Sequence, residues 1–223
     1  MNTNRMIIAL VLMTSVMQGM ILLRQYRQPE IEAGAVSVRE APENTFISLQ
    51  GLPTKGSDQA KVALVEFTDY ECPFCERHAK GVGQEVQKIF VDTKQVRHSL
   101  VNNPLPIHAN ARLLAAGAIC AGKQDRFWQM HESLFLRKPR TRDELVVTAE
   151  ASVQHLTHFR DCIDRPAPTE IERDLQLAKT LNLLSTPSFA VGRIESGGRV
   201  RVQKFIIGAV SIDVFKNVIE EVL

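Results

Sequence analysis

The sequence predicts an α/β protein with a central mixed sheet flanked by helices, an inserted all-helical subdomain and an N-terminal hydrophobic anchor helix. Three observations support this prediction. A short apolar strand pattern runs directly into a helix that begins at a cysteine–proline step. A long stretch with helical periodicity separates this unit from the last two strand patterns, and an uncharged apolar run lies near the N-terminus. The length of 223 residues suits one domain with an insertion.

Composition and charge narrow the class of protein. Hydrophobic residues make up 44% of the chain and charged residues 23%, which is typical of a globular protein. The chain has 27 Lys and Arg against 25 Asp and Glu, a formal charge of +2. A protein that binds a polyanion through a basic surface needs a larger excess of positive charge, so we expect no nucleic-acid partner.

The N-terminal segment predicts a membrane anchor. Residues 6–23 are 18 uncharged residues, of which 14 are apolar, between Arg5 and Arg24. This length is sufficient to span a bilayer. Small residues suited to signal cleavage do not follow at once, because the nearest candidate is residues 33–35. We expect residues 1–29 to be an uncleaved signal anchor; a cleaved signal peptide and a buried core helix are the alternatives.

A tether is expected between the anchor and the folded domain. Residues 30–60 alternate charged and small residues and contain two prolines, so we expect them to be extended, with one short strand near residues 46–49. We place the domain at residues 61–223 and its helical insertion at about 105–184.

The first half of the domain predicts a strand, a helix and a second strand. Residues 62–67 are apolar and rich in β-branched side chains, which is typical of a buried strand. Pro73 is favoured at the first position of a helix, which we expect to run for about 18 residues. Residues 95–101 have the pattern of the second strand.

The second half predicts a helical block, a hairpin and a last helix. Residues 107–182 have helical periodicity, with breaks at residues 122–123, 138–139 and 166–168, so we expect three to five helices there. Residues 188–191 and 200–207 have strand patterns around a Ser-Gly-Gly turn, and residues 212–223 have the pattern of a helix.

The segment Cys72-Pro73-Phe74-Cys75 indicates redox chemistry. It lies where a strand turns into a helix, and unpaired N–H groups at a helix N-terminus stabilise a thiolate on Cys72. Cys72 is then the nucleophile, and Cys75, one turn into the helix, is the resolving thiol. A zinc half-site is the main chemical alternative, although Cys120 and Cys162 form no second pair of this spacing. Two buried cysteines without a redox role are the remaining alternative.

Three segments together resemble the DsbA-like thioredoxin family. They are Val65 to Cys75 (VEFTDYECPFC), Phe127 to His131 (FWQMH) and Thr186 to Phe189 (TPSF), and they occur in the family's order. The similarity runs from about residue 60 to the C-terminus. It implies a thioredoxin-like fold that acts outside the cytoplasm on protein thiols and disulfides.

The resemblance also implies roles for three residues around the cysteines. In the family the proline at Pro187 is cis and lies beside the CxxC, so that Thr186 presents its backbone to an extended substrate. The alternative is a trans proline at a loop entry. The family also places an acid at Glu66, buried behind the second cysteine, where burial raises its pKa and lets it carry protons to and from Cys75. The alternative is an edge residue that faces solvent.

The other two cysteines predict a structural disulfide. Cys120 and Cys162 are 42 residues apart in the helical block. In an oxidising compartment such cysteines usually pair, at a gain of roughly 4 kcal/mol for a loop of this length, and the resemblance supports the pairing. Two independent buried thiols are the alternative.

The remaining histidines and a basic cluster have no clear chemical pattern. His108, His131, His155 and His158 lack metal-ligand spacing, and we interpret them as surface or core residues. The basic residues between 137 and 142 predict a solvated loop, or else a patch that steers substrates.

Together these observations predict a thiol:disulfide oxidoreductase, most simply a dithiol oxidase that donates the Cys72–Cys75 disulfide to substrate proteins with cysteine thiols, through a mixed disulfide on Cys72. A membrane or soluble redox partner would reset the pair. Phe74 cannot donate a hydrogen bond to the thiolate, which suggests a mild oxidant. A reductase or isomerase of the same fold is the alternative, and a copper-binding module a more distant one. We expect no cofactor or metal, and a location outside the cytoplasm, anchored to the cytoplasmic membrane by residues 6–23.

Overall fold

Strands from both ends of the domain form one mixed sheet in the computed structural model, which describes residues 36–165 and 169–223. The central strand pairs parallel with one neighbour and antiparallel with the other. The strands are β1 (Ser37–Glu40), β2 (Phe46–Ser48), β3 (Thr54–Lys55), β4 (Val62–Thr68), β5 (Val96–Asn102), β6 (Ser188–Glu195) and β7 (Arg199–Ile207).

The order of the strands places β4 at the centre. The sheet runs β1-β7-β6-β4-β5-β3, and β2 lies along the same edge of β7 as β1. All seven residues of β4 are buried, which explains their near-continuous apolar pattern. The mixed sheet flanked by helices is therefore confirmed.

The start of the domain differs from the prediction. Residues 36–55 contribute three strands to the sheet, whereas we expected a tether with one strand and a domain that begins at Lys61. The reason is that β1, β2 and β3 are short edge strands, mostly half-exposed, and their hydrogen bonds come from distant β7 and β5. Such strands carry little apolar pattern of their own.

The predicted anchor lies outside the described residues. This applies to residues 1–29, including the apolar run at 6–23. In the part of the chain that the structure describes, no helix combines the length and the apolar character that crossing a membrane requires.

The helix after the cysteines is divided. We expected about 18 continuous helical residues from Pro73, but α1 (Pro73–Lys80) is followed by α2 (Val82–Val86) and by a π-helical turn (Gln87–Val91). The chain folds closely upon itself at the junction, where a Cβ atom on Gly83 would lie 2.9 Å from the His78 carbonyl oxygen. Glycine permits this approach.

The helical block contains five helices within the described residues, the upper end of the expected number. They pack around large buried side chains that include Leu114, Met130, Phe135 and Phe159. The expected break at residues 166–168 lies outside the described residues. The helices are α3 (Ala111–Gly122), α4 (Phe127–Arg137), α5 (Arg142–Glu150), α6 (Leu156–Ile163) and α7 (Thr169–Thr180).

Helices cover both faces of the sheet. The last helix, α8 (Ile212–Val222), packs Phe215 against Phe189 on the face that also carries Leu64. On the opposite face, α7 packs Ala178 in the same cluster as Phe67. Burial of each large apolar side chain contributes about 1.5 to 3 kcal/mol, so both layers hold β4 firmly in place.

Candidate active site

The turn between β4 and α1 positions the cysteine pair. Cys72 is the residue that precedes α1, with extended backbone angles (φ −71°, ψ 121°), and Pro73 is the first helical residue. The Cys72 N–H donates to the Asp69 carbonyl oxygen at 3.1 Å, which closes the turn. The structure therefore presents Cys72 at a helix N-terminus, where backbone N–H groups point towards its sulfur.

The surroundings of Cys72 favour its thiolate. Both cysteines are unpaired thiols in this structure. A hydrogen bond from the Cys75 thiol makes the largest contribution to lowering the pKa of Cys72. The Thr186 side chain and the N–H groups of Cys75 and Phe74 lower it further. Together these groups outweigh the opposite effect of burial, and the pKa of Cys72 is about 5. At neutral pH, Cys72 is an anion.

Cys75 has the opposite character. Its side chain is fully buried, and burial together with the neighbouring Cys72 thiolate raises its pKa well above the ordinary value. The Asp69 N–H lies 3.5 Å from the Cys75 sulfur. The Thr68 hydroxyl has no other partner of good geometry among the described residues, so it is free to turn towards a Cys75 thiolate. Cys75 therefore remains protonated at neutral pH and donates a hydrogen bond to the Cys72 thiolate.

The Thr186–Pro187 step lies against the reactive cysteine. This peptide bond is cis, which is the geometry that the resemblance implies. The Cys72 Sγ lies 3.3 Å from the Thr186 carbonyl oxygen, although the two residues are 114 positions apart. The backbone of Thr186 is thus brought to the sulfur that would carry a mixed disulfide.

Glu66 is buried, but its pKa moves in the direction opposite to our expectation. Burial alone raises the pKa. The hydrogen bond from His98 (Nε2 to Oε2, 3.0 Å) and the nearby imidazoles of His78 and His131 outweigh this effect and hold the pKa below the usual range. The expectation of a raised pKa is therefore wrong, and the physical reason is the group of imidazoles around the carboxylate. The alternative of a solvent-facing edge residue is also wrong, because Glu66 is only 2% exposed.

Sequence reasoning missed two of these histidines. His98 lies on β5 and faces the same side of the sheet as Glu66, while His78 on α1 approaches the Glu66 Oε2 to 4.0 Å. Burial lowers the pKa of both imidazoles, and His98 donates its Nε2–H to the Glu66 carboxylate. The sequence signal was a single histidine in each element, which is too weak without the strand register.

His131 also lies close to the active-site turn. Its Nδ1 is 3.2 Å from the hydroxyl of Tyr70, two residues before Cys72. Burial lowers the pKa of His131 to about 4, so the ring is neutral. We interpreted His131 as a surface or core residue, and the structure places it in the core.

Asp69 ties a loop to the same turn. Its carboxyl oxygens accept hydrogen bonds from the Glu71 N–H (2.8 Å), the Leu105 N–H (2.7 Å) and His108 Nδ1 (2.8 Å). These contacts hold residues 103–109 beside the cysteines. His108 therefore supports the turn, a role that its sequence context did not indicate.

The second pair of cysteines is joined. A disulfide connects Cys120 on α3 to Cys162 on α6, with Cα atoms 5.8 Å apart. Both residues lie within the helical block, and Cys120 is only 1% exposed. The disulfide therefore links two helices of the insertion.

The basic residues that follow α4 are partly paired. Lys138 Nζ lies 2.7 Å from the Glu76 carboxylate on α1, and Arg142 pairs with Asp164. His155 and His158 are neighbours on the surface of the block. Among the residues that the structure describes, no cluster of histidine, cysteine and acidic side chains could hold a metal ion.

Comparisons with known proteins agree with this geometry. A family model described as thioredoxin matches residues 50–205. The chain is 30% identical over 155 residues to disulfide bond formation protein D of Bacillus subtilis, a match that covers 65% of this chain and 69% of that protein. The crystal structure of oxidised BdbD from Bacillus subtilis superposes with a TM-score of 0.65 at 27% identity, covering 81% of this chain and 97% of that one.

A second kind of relative is a membrane protein. The chain is 32% identical over 147 residues to the Na(+)/H(+) antiporter NhaA 3 of Salinispora tropica, which covers 64% of this chain but only 22% of the antiporter. The match therefore concerns one segment of a much longer protein.

Proposed function

The chain belongs to the thioredoxin family and is a protein thiol:disulfide oxidoreductase of the DsbA-like kind, and we propose that it works as a dithiol oxidase through Cys72 and Cys75. The observation that carries the proposal is the contrast between the two sulfurs. Cys72 is a stabilised thiolate beside the Thr186–Pro187 step, and Cys75 is a thiol whose pKa is raised. Disulfide exchange requires one reactive thiolate and one resolving thiol, and the two cysteines meet this requirement.

The reaction follows from this difference between Cys72 and Cys75. In the oxidised protein, a substrate thiolate attacks the Cys72 sulfur, the Cys72–Cys75 bond breaks, and Cys75 leaves as a thiolate that takes up a proton. A second substrate thiolate then attacks the substrate sulfur of the mixed disulfide. The substrate is oxidised to its disulfide, and Cys72 departs as a stabilised thiolate. Two electrons have moved from the substrate to the cysteine pair, and a redox partner removes them by the reverse sequence.

The low pKa of Cys72 favours the oxidase direction. Only the reduced protein has the thiolate, so each contact that stabilises it also stabilises the reduced form and makes the disulfide a stronger oxidant. The pKa of about 5 lies between the values of about 3.5 for DsbA and about 7 for thioredoxin. We therefore propose an oxidant of intermediate strength, in line with the absence of a hydrogen-bond donor on Phe74.

The redox potential tests this direction. Equilibration of the purified protein with glutathione buffers should give a potential between the values of about −270 mV for thioredoxin and about −120 mV for DsbA. A value at or below the thioredoxin end would reject the oxidase and favour the reductase. Reduced, unfolded substrate protein should also regain its disulfides when it is mixed with the oxidised protein.

The Thr186–Pro187 step is proposed to bind the substrate backbone. An extended substrate segment can pair with Thr186 in the manner of an added strand, and its cysteine then lies beside Cys72. Backbone pairing of this kind does not depend on substrate side chains. It therefore suits an enzyme that oxidises many proteins.

We further propose that the enzyme works outside the cytoplasm and that residues 6–23 anchor it in the cytoplasmic membrane. The support is the uncharged run of 18 residues between basic flanks. Membranes washed with alkaline carbonate should retain the full chain. They should release a variant in which residues 1–29 are replaced by a cleavable signal peptide. Release of the full chain by the same wash would reject the anchor.

A further inference from the structure

Two hydrogen-bond donors lie at the end of the central strand, next to the resolving cysteine. Thr68 is the last residue of β4, and Asp69 follows it at the start of the active-site turn. Side chains alternate along a strand, so Thr68 points to the same face of the sheet as Glu66, which contacts His78 of α1. The Thr68 side chain is therefore directed towards the helix that carries Cys75.

The Thr68 hydroxyl is buried and unused by the fold. Thr68 is 1% exposed, and its Oγ1 has no hydrogen-bond partner among the described residues. A buried hydroxyl without a partner costs free energy, so its presence in a folded protein requires an explanation. Cys75 provides one, because the hydroxyl is close enough to favour the Cys75 thiolate, although burial keeps the pKa of that thiol high. The hydroxyl can thus donate a hydrogen bond when Cys75 becomes an anion.

The Asp69 N–H is a second donor to the same sulfur. It lies 3.5 Å from Cys75 Sγ. The Asp69 carboxylate is fully buried and accepts three hydrogen bonds, two of them from backbone N–H groups. The Thr68 carbonyl oxygen accepts the Asn103 N–H at 2.8 Å. Both donor residues are therefore held in place before the reaction begins.

We propose that the Thr68 hydroxyl and the Asp69 N–H form a binding site for the Cys75 thiolate, and that Thr68 is a catalytic residue that speeds the opening and the closing of the Cys72–Cys75 bond. The proposal rests on the proposed function and adds a residue to it. Negative charge develops on the Cys75 sulfur while this bond breaks or forms. Donors already directed at that sulfur stabilise the transition state without rearranging.

The opening of the disulfide moves one negative charge from the substrate to Cys75. A substrate thiolate attacks the Cys72 sulfur, a bond forms between these two sulfurs, and the Cys72–Cys75 bond breaks with both electrons left on Cys75. Thr68 and Asp69 donate to the new thiolate until it takes up a proton from water. In closure, Cys75 loses its proton to water and attacks Cys72, and the partner sulfur leaves as a thiolate.

The size of the effect follows from the strength of a hydrogen bond to an anion. Such a bond increases the population of the Cys75 thiolate by about 10- to 100-fold. A stabilised thiolate is also a weaker nucleophile, with a Brønsted coefficient of about 0.4 to 0.5. About half of the stabilisation, on a logarithmic scale, therefore remains in the transition state, and each rate rises by about three- to tenfold.

The equilibrium between the closed and the mixed disulfide should not depend on Thr68. Cys75 is a bonded sulfur in the closed disulfide and a neutral thiol in the mixed disulfide at neutral pH, so neither state carries the anion. A role in catalysis therefore changes both rates by the same factor and leaves their ratio constant.

Thr68→Val and Thr68→Ser test the hydroxyl directly. Valine has nearly the shape of threonine but no hydroxyl, and serine keeps the hydroxyl. Thr148→Val is the matched control, because Thr148 is also a buried threonine but lies on α5 in the helical block.

The experiment measures three rates. Full-length oxidised protein is mixed with reduced glutathione at several concentrations, quenched with acid and analysed by mass spectrometry for the closed disulfide, the mixed disulfide and the dithiol. These time courses give the rates of opening and closure. Reduced protein mixed with oxidised glutathione gives the rate of attack by Cys72. Melting temperatures measure any loss of structure separately.

We expect Thr68→Val to slow opening and closure by the same factor, about three- to tenfold, and to leave the attack by Cys72 unchanged. Thr68→Ser should stay close to the wild type. Thr148→Val should match the wild type in all three rates.

Four results would overturn the inference: unchanged rates in Thr68→Val, a change in only one of opening and closure, equal slowing of all three rates, or an equal loss in Thr68→Ser and Thr68→Val. Equal slowing of all three rates would indicate a purely structural role. If the wild type itself forms no mixed disulfide, the proposed function fails instead, so the two failures are distinguishable.

Discussion

The two cysteine pairs of this protein use the same side chain for opposite purposes. Cys72 and Cys75 are three residues apart at the start of α1, whereas Cys120 and Cys162 are 42 residues apart and join α3 to α6. The first pair lies where helix N–H groups and the Thr186 segment are available to stabilise an anion. Cys120 lies near the end of a helix whose preceding N–H groups are already bonded.

The comparison shows that surroundings decide the chemistry of a thiol. Neighbouring hydrogen-bond donors lower the pKa of Cys72, which makes it a nucleophile and a good leaving group. Burial raises the pKa of Cys75, which therefore stays a thiol. The disulfide in the helical block links two packed helices. We therefore expect the first pair to control activity and the second to control stability.

The largest expected effect is the loss of activity in Cys72→Ser. Without its nucleophile the protein should oxidise reduced substrate no faster than buffer. Cys75→Ser should instead accumulate mixed disulfides on Cys72, which appear as thiol-sensitive adducts on non-reducing gels of cell extracts. An absence of adducts would show that Cys72 is not the residue that bonds to substrates.

Next in size is the effect of removing the second pair. Replacing both Cys120 and Cys162 by alanine should lower the free energy of unfolding by roughly 4 kcal/mol, because the unfolded chain loses the restraint of a loop of 42 residues. Denaturant unfolding of the oxidised proteins measures this difference. Disulfide transfer by the folded variant should match the wild type. Lost transfer with unchanged stability would instead identify a second redox relay.

A smaller effect is expected on the thiolate of Cys72. In the wild type, thiolate absorbance should disappear as the pH falls through about 5. Cys75→Ala removes the strongest hydrogen bond to that thiolate. A hydrogen bond to a charged group contributes about 1.5 to 3 kcal/mol, so the pKa of Cys72 should rise by about 1 to 2.

Cys75→Ser is the matched control for this measurement, because its hydroxyl can still donate. Its titration should stay closer to that of the wild type. An identical pKa in all three proteins would mean that the helix N-terminus and Thr186 alone stabilise the thiolate.

The smallest effect tests the helical block as a scaffold. The Thr141 hydroxyl accepts the Glu144 N–H at 3.2 Å and caps the start of α5. Thr141→Ala should cost about 1 kcal/mol of stability and leave the transfer rate unchanged. Thermal melting and substrate oxidation measure the two quantities. A change in rate at constant stability would contradict the separation of roles between the two regions.

The sequence by itself determined the elements and the reactive pair. The β4 pattern, the proline after Cys72 and the helical periodicity of the insertion are local signals. They predicted the bounds of β4 to within one residue, the start of a helix at Pro73 and a block of several helices. The position of Cys72 at a helix N-terminus follows from the same signals. The lowered pKa of its thiolate follows in part from these local signals, and Thr186, 114 residues away, lowers it further.

Tertiary structure alone decided the features that depend on distant partners. The charge state of Glu66 depends on His98, 32 residues away, and on His78, which reaches it from α1. The edge strands of residues 36–55 depend on hydrogen bonds from β7 and β5. Local patterns report which face of an element is apolar, but they do not report which other element covers that face. For this reason the sequence predicts a raised pKa for Glu66, whereas the imidazoles around its carboxylate lower it.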